Sequence, residues 1–567
     1  MRTTRAMRTV TAVLALTLSA VACGDDGGGG GPGGGGGTTT GGTFEPKGTK
    51  GGTLEIVSNG DADYLDPQRT YSTIGIAIQR ALNRQLLTYK AAPADSGGLE
   101  LVPDLAKAMP EVSADGLTYT FELKDGIKFE DGAEITAADV KYGVERSFEL
   151  DTLSGGPEHM RQTLAGGLEF KGIYQDPKGL SSIKVDGDKK ISFTLKQPYA
   201  DFRYVAALPT TTPVQKANDT KDKFNLHPTS TGPYKIVSYK PEKEIVFDRN
   251  PNWDPKTDEV RKAYVDRIEI TEGVDTADIL NRLESGDADI SLDTTVEPQD
   301  IARVTADPVL KEQSNKVNTG CVRYLSLNTK VAPFDNPKVR EAMQYAVNKE
   351  TYRTARGGPT AGDFATSMLP PTFGQESFDL YPAAPTGDAA KAKALFAEAG
   401  YTGGKILMLA TNAGKGLASA QAVQAALKPF GMNVELKQVA PGVFFTELGT
   451  PSKNYAMGIA GWCADWPSPS TYLGPLFDGT QIKPNGNQNY SQLDDPAINK
   501  LIAEANREGD TAKANAKWFD IDRKIMESGA IVPLLYDSAL FFHSARLKNA
   551  FIHPYLVHED FTVVAVQ

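Results

Sequence analysis

The chain has 567 residues, 40% hydrophobic and 23% charged, with a formal net charge of −11. This is the composition of an ordinary soluble globular protein, and an acidic chain argues against a nucleic-acid partner. The charges are spread along the chain, so they read as a solvated surface.

The N-terminus carries Arg2, Arg5 and Arg8, then a largely apolar run from Val10 to Ala22. That run falls short of the roughly 20 residues a membrane-spanning helix needs and suits a signal peptide over 1–22. With no arginine pair, the unfolded-export route is favoured over the twin-arginine one. Cys23 follows Ala20-Val21-Ala22. Small residues before a cysteine resemble the lipobox of bacterial lipoproteins, although Ala20 stands where that pattern prefers Leu. The resemblance implies a diacylglycerol on the Cys23 sulfur and an anchor on the extracytoplasmic face of the cell membrane. The alternative is an ordinary signal peptide cut near Ala22. Residues 23–50 are rich in Gly and Thr, with almost nothing to bury, and read as a disordered tether. About 26 flexible residues span roughly 25–30 Å.

The roughly 515 residues that remain suggest two or three domains. Gly52 to Ser58 alternates as a strand, Asp63 to Pro67 is a turn, and Ile74 to Tyr89 reads as one helix ending in Leu86-Leu87-Thr88-Tyr89. Tyr119 to Leu123 alternates again, and Asp125-Gly126 and Asp131-Gly132 are turn signals. Thr136 with Asp139 three residues later predicts a capped helix start. Residues 190–250 are rich in strand patterns, and Asp275 to Glu284 is helical up to Gly286. Ile406–Ala410, Ala418–Leu427 and Met432–Leu436 follow one another as strand, helix and strand, the pattern of a parallel βαβ crossover. The whole reads as mixed α/β. If Cys23 carries lipid, Cys321 and Cys463 remain in an oxidising compartment, where a disulfide is the natural reading and two buried free thiols the other. Closing that loop would stabilise the fold by roughly 5 kcal/mol at most.

Several segments, in order, resemble the family 5 solute-binding proteins of ABC importers, the oligopeptide- and dipeptide-binding group. They are Leu65-Asp66-Pro67, Leu86-Leu87-Thr88-Tyr89, Asp115 through Asp131-Gly132 to Val140, Thr231-Gly232-Pro233-Tyr234, Arg249 to Trp253, and Leu327-Asn328 with Ala332 to Arg340. The resemblance spans about 50 to 560. It implies a two-lobed periplasmic-binding-protein fold, type II-like and of the large cluster with an extra subdomain. On that pattern 51–90, 215–318 and 536–567 form the first lobe, 91–214 the extra subdomain and 319–535 the second lobe. It further implies a monomer that closes on a peptide between its lobes and delivers it to permease and ATPase subunits, with no cofactor, metal or catalytic residue. In the oligopeptide branch a cysteine opening the second lobe pairs with one in a Trp-Cys-Ala-Asp segment, which matches Cys321 and Trp462-Cys463-Ala464-Asp465. The aspartate of that segment holds the peptide's ammonium, which implicates Asp465.

The physics agrees with such a role, since a buried ammonium needs an anion. Trp462 and Trp466 could wall the ligand, and Asn412 follows a strand where such folds often bind ligands. Each residue also has a structural reading: Asp465 and Asn412 as turn residues, the tryptophans as core. After Asp465 the sequence departs from the peptide pattern with Trp-Pro-Ser-Pro-Ser-Thr-Tyr, which leaves the pocket's shape open. No G-x-S-x-G, P-loop, H-E-x-x-H or C-x-x-C motif is present. His543, His553 and His558 lie near the C-terminus, with only the last two at metal-ligand spacing. The same fold binding a nickel complex, haem, a sugar or an opine, or acting as a sensory receptor, are the alternatives.

Overall fold

The computed structural model describes residues 44–62 and 64–567. The signal peptide, Cys23 and most of the glycine-rich tether lie outside them. Residues 44–50, read as tether from composition, lie on the folded body. Phe44 packs edge-on against Phe551, and the Tyr264 hydroxyl donates to the Pro46 carbonyl at 2.8 Å.

Three sheets organise the chain. In the first, Thr53–Val57 pairs in parallel with both Arg267–Thr271 and Ile290–Ser291, and Glu244–Arg249 and Tyr234–Lys240 extend the sheet antiparallel. Alternation buries Leu54 and Ile56 against the helix Thr73–Leu82. That helix stops earlier than its apolar run suggests: Asn83 turns extended, and Leu87–Tyr89 is a strand paired with Leu101–Pro103. The reason is tertiary. Arg84 is fully buried and donates to Asp104 and Thr257, which draws the chain out of helical register.

A second, four-stranded sheet is formed by Glu111–Val112, Thr118–Glu122, Lys190–Thr194 and Ile183–Asp186. The expected capping box is present: Thr136 and Asp139 exchange bonds at the start of Ala137–Arg146. The buried Arg146 at that helix's end grips Asp66 with two bonds, at 2.7 and 2.8 Å, and Asp219 at 3.0 Å, tying this sheet's helix to the turn after the first strand. Asp275 and Gly286 cap the helix Thr276–Ser285 as the sequence predicts.

The third sheet has six strands. Gly404–Thr411 and Met432–Val439 lie parallel, joined by the helix Gly414–Leu427, which is the predicted crossover. Its other strands include Met457–Cys463 and two long ones, Ser314–Leu327 and Ile531–Phe542. The long pair is antiparallel along its length, with a register shift between Asn318 and Val322. Leu540 and Phe542 at one end join a core cluster with Val57 and Leu283. Leu325, Leu327, Val532 and Leu534 at the other end join the core around Met408 and Ile406. Cys321 and Cys463, paired across adjacent strands, form a disulfide.

Near the C-terminus, His553, His558 and Glu559 are buried on a short hairpin. Among the described residues no three His, Cys, Asp or Glu side chains stand close enough to hold a metal. Burial lowers His553 to about 3, with the charge of Arg80 adding to the effect, and lowers His558 to about 4. Burial raises Glu559 from 4.5 to about 8. A histidine kept neutral costs stability as pH falls below 6.5, because the unfolded chain takes up the proton first. A raised carboxyl has the opposite sense: its stabilisation is complete below 4.5 and is lost as pH rises toward 8. Above pH 6.5 only Glu559 of the three acts. Glu559→Gln should therefore abolish about 2 kcal/mol of the stability that the parent loses between pH 6.5 and 8.5, as read by urea denaturation at the two pH values.

Candidate functional site

The strand Met457–Cys463 ends at its disulfide, and Pro467 and Pro469, which lack an N–H, keep the following loop out of the sheet. Trp462 fixes that loop: its indole N–H donates to the Thr471 carbonyl at 2.6 Å, and its half-buried ring packs on the core beneath. This suspends Asp465 at the carboxyl end of the strand, where open α/β sheets bind ligands.

Asp465 is half-buried. The Tyr71 hydroxyl donates to it at 2.6 Å, and the same hydroxyl lies 2.9 Å from Nε2 of His159. Since the hydroxyl gives its hydrogen to Asp465, its oxygen accepts from His159, which fixes the proton on Nε2. Burial depresses the His159 pKa, against the pull of the Asp465 charge. Burial, with the charge of Asp465 as a further cause, holds the phenols of Tyr71, Tyr199, Tyr472 and Tyr555 above their ordinary range. The hydroxyl that donates to this carboxylate is thus neutral, and Asp465 forms no ion pair within 4.0 Å among the described residues. Tyr555 stacks on Tyr89 with centroids 3.9 Å apart, and neither hydroxyl has a hydrogen-bond partner among the described residues.

The remaining expected residues fall in different surroundings. Trp466 is 3% exposed and joins the core of the four-stranded sheet rather than presenting a free face. The Asn412 side chain is exposed, and its backbone N–H closes the ladder to Val439 at 2.9 Å. Three residues on, Lys415 lines a pocket that sequence reasoning missed. Arg356 and Asp537 face it too, with Thr295 and Pro298 on its opposite side. One oxygen of Asp537 accepts from Arg323 at 2.6 Å, and Arg356 stands 4.0 Å from that oxygen. The other Asp537 oxygen and Nε of Arg356 are buried without partners. Burial works to lower the Arg323 pKa, but the Asp537 charge outweighs it and the group stays cationic. The pocket is net positive. No local motif marks it, because its members come from one strand, several helices and a loop.

Asp537, Asp465 and Asn412 occupy the same edge of the six-stranded sheet. Tyr472 lies between the first two: its pKa responds to both carboxylates, and its hydroxyl donates to the Gly320 carbonyl.

Residues 100–484 match the family described as bacterial extracellular solute-binding proteins, family 5 Middle. A solved structure titled clavulanic acid biosynthesis oligopeptide binding protein 2 is 35% identical, covers 93% of this chain and 97% of its own, and superposes with a TM-score of 0.87. The glutathione-binding protein GsiB of Escherichia coli O1:K1 / APEC is 25% identical over 503 residues, 86% of this chain and 90% of that one. The unliganded open form of MppA, a periplasmic murein tripeptide binding protein, shares the fold at 21% identity and a TM-score of 0.75, over 92% of this chain and 99% of its own.

Tyr71→Phe keeps the ring and removes the hydroxyl that bridges Asp465 and His159. It should raise the His159 pKa by at least half a unit, because the Asp465 charge is then less satisfied. An NMR titration of the imidazole would measure this.

Proposed function

This chain belongs to the bacterial extracellular solute-binding proteins of family 5, and we propose that it captures short peptides for an ABC importer. The supporting observation is the charge layout of the cleft edge. A half-buried carboxylate, Asp465, accepts from the neutral Tyr71 hydroxyl, while Arg356 and Lys415 form a cationic pocket along the same sheet edge. A zwitterion complements both. The Asp537 and Met457–Cys463 strands flank one intervening strand, so sheet spacing separates them by roughly 10 Å. That is about the length of three extended residues. Relatives described as binding oligopeptides and glutathione have solutes that fit this layout.

In this reading Asp465 receives the peptide ammonium, and Arg356 with Lys415 receives its carboxylate. Residues 51–90, 215–318 and 536–567 form one lobe, 91–214 its subdomain, and 319–535 the other lobe. The closed protein, a monomer, docks on permease and ATPase subunits and turns over no substrate. Cys23 carries the lipid that keeps it at the membrane, with the glycine-rich segment as tether.

Asp465→Asn should weaken binding of a tripeptide by about 2–5 kcal/mol in calorimetry, since it strands the ammonium. Arg356→Met should weaken free-carboxyl tripeptides and leave C-terminally amidated ones unchanged. Equal loss for both would remove Arg356 from the carboxylate site. Mass spectrometry of solutes released on denaturing the purified protein should give short peptides; a sugar or a metal complex would overturn the peptide reading. Cys23→Ser should release the protein into the medium, and an unmodified N-terminal peptide in the parent would overturn the anchor.

A further inference from the structure

The seven residues after Asp465 leave the peptide pattern, and the structure gives them a specific use. Trp466 extends from the six-stranded-sheet side of the cleft into the core of the four-stranded sheet, where it joins Phe121, Phe193 and Phe202. Its indole N–H donates to Asp201 at 3.2 Å, and the hydroxyl of Ser470, from the same loop, donates to the same oxygen. Tyr204 lies parallel to Trp466 with centroids 6.4 Å apart, and His159 meets it edge-on at 4.8 Å. Arg203 donates across the cleft to the Thr511 hydroxyl, at the first turn of the helix Thr511–Ser528.

Asp201, Arg203 and Tyr204 thus make the polar contacts and the parallel ring contact from one short helical segment. Asp201 is 6% exposed and is held by donors from the opposite side of the cleft. A buried carboxylate in that position costs several kcal/mol if those donors leave, and Trp466 would surrender a buried aromatic face. Both partners of every contact belong to the chain itself, so the contacts need no ligand to form.

We propose that the Trp466–Ser470 loop and the Asp201–Tyr204 segment form a built-in latch, which holds the second lobe against the extra subdomain and sets how readily the cleft opens to exchange solute. Such a latch multiplies the closed-to-open ratio by a factor that grows exponentially with its own free energy, whatever the solute. It does not depend on the solute being a peptide.

The test uses the ligand-free, full-length mature protein with spin labels at Lys184→Cys and Lys500→Cys, both exposed positions on opposite sides of the latch. The parent should give one narrow, short distance. Trp466→Ala should broaden and lengthen it. The double variant Arg203→Ala, Ser470→Ala leaves every core side chain in place, so it carries the test if Trp466→Ala fails to fold by circular dichroism; it should at least triple the long-distance population. The same narrow distribution in parent and double variant would overturn the latch. So would a parent already as broad as the variant. Neither outcome touches the assignment of Asp465, which the binding measurements address separately.

Discussion

The structure depends on two paired strands. Ser314–Leu327 and Ile531–Phe542 run antiparallel, and Ile531–Phe542 is buried at its two ends in different clusters, while Ser314–Leu327 is buried only in its Cys321–Leu327 half. Two strands that must satisfy each other's backbone groups cannot slide independently, because a one-residue slip would turn every side chain to the wrong face. The ladder is interrupted by two register shifts, one between Arg323 and Tyr324 and one between Asn318 and Val322. Gly320 there has φ +67°, a left-handed conformation that glycine adopts without strain. The disulfide and the Arg323–Asp537 ion pair sit beside that interruption. The Asp465 loop leaves the sheet next to this point, where Cys463 pairs with Cys321.

Charge is used in two distinct ways. Around Arg84 and Arg261, buried carboxylates are matched by buried arginines. Burial acts to raise the pKa of Asp104 and of Asp258, yet Arg261 and Arg84 hold both below the usual carboxylate range. Those pairs are internally complete and leave nothing to offer a ligand. Asp465 is the contrast. It is placed among phenols and a histidine that burial keeps neutral, so it keeps an unbalanced negative charge at a cleft. The Arg356 pocket shows the complementary imbalance, with one carboxylate shared among more than one guanidinium.

Trp462 and Trp466 show how neighbouring residues of one type part company. Both flank the Cys463–Asp465 segment, and sequence alone gave each two readings: a wall of the site or a core residue. Trp462 turns back onto its own lobe and braces the loop. Trp466 points away and enters a core built from residues more than 250 positions earlier, as its bond to Asp201 shows. The choice follows from the two prolines, which direct the loop away from the sheet, and from a cavity that only the other sheet provides.

Much of the fold was legible in the sequence because it is encoded over short distances. The Thr136–Asp139 capping box, the Asp275 and Gly286 caps, the alternation at Thr53–Val57 and the crossover from Gly404 to Val439 each lie within a few turns of chain. The Cys321–Cys463 pairing was legible by count and family resemblance. What the sequence could not determine is whatever a distant partner decides. Leu87–Tyr89 has a helical neighbourhood, and becomes a strand because Leu101–Pro103 pairs with it and the buried Arg84 breaks the helix before it. Tyr71 and Asp465, 394 residues apart, share a 2.6 Å bond, and the Arg356 pocket is assembled from four separate stretches of chain. Periodicity and capping act between neighbours in sequence, whereas a binding site is a meeting of side chains in space, and that meeting exists only once the crossing strands have set the two cores in place.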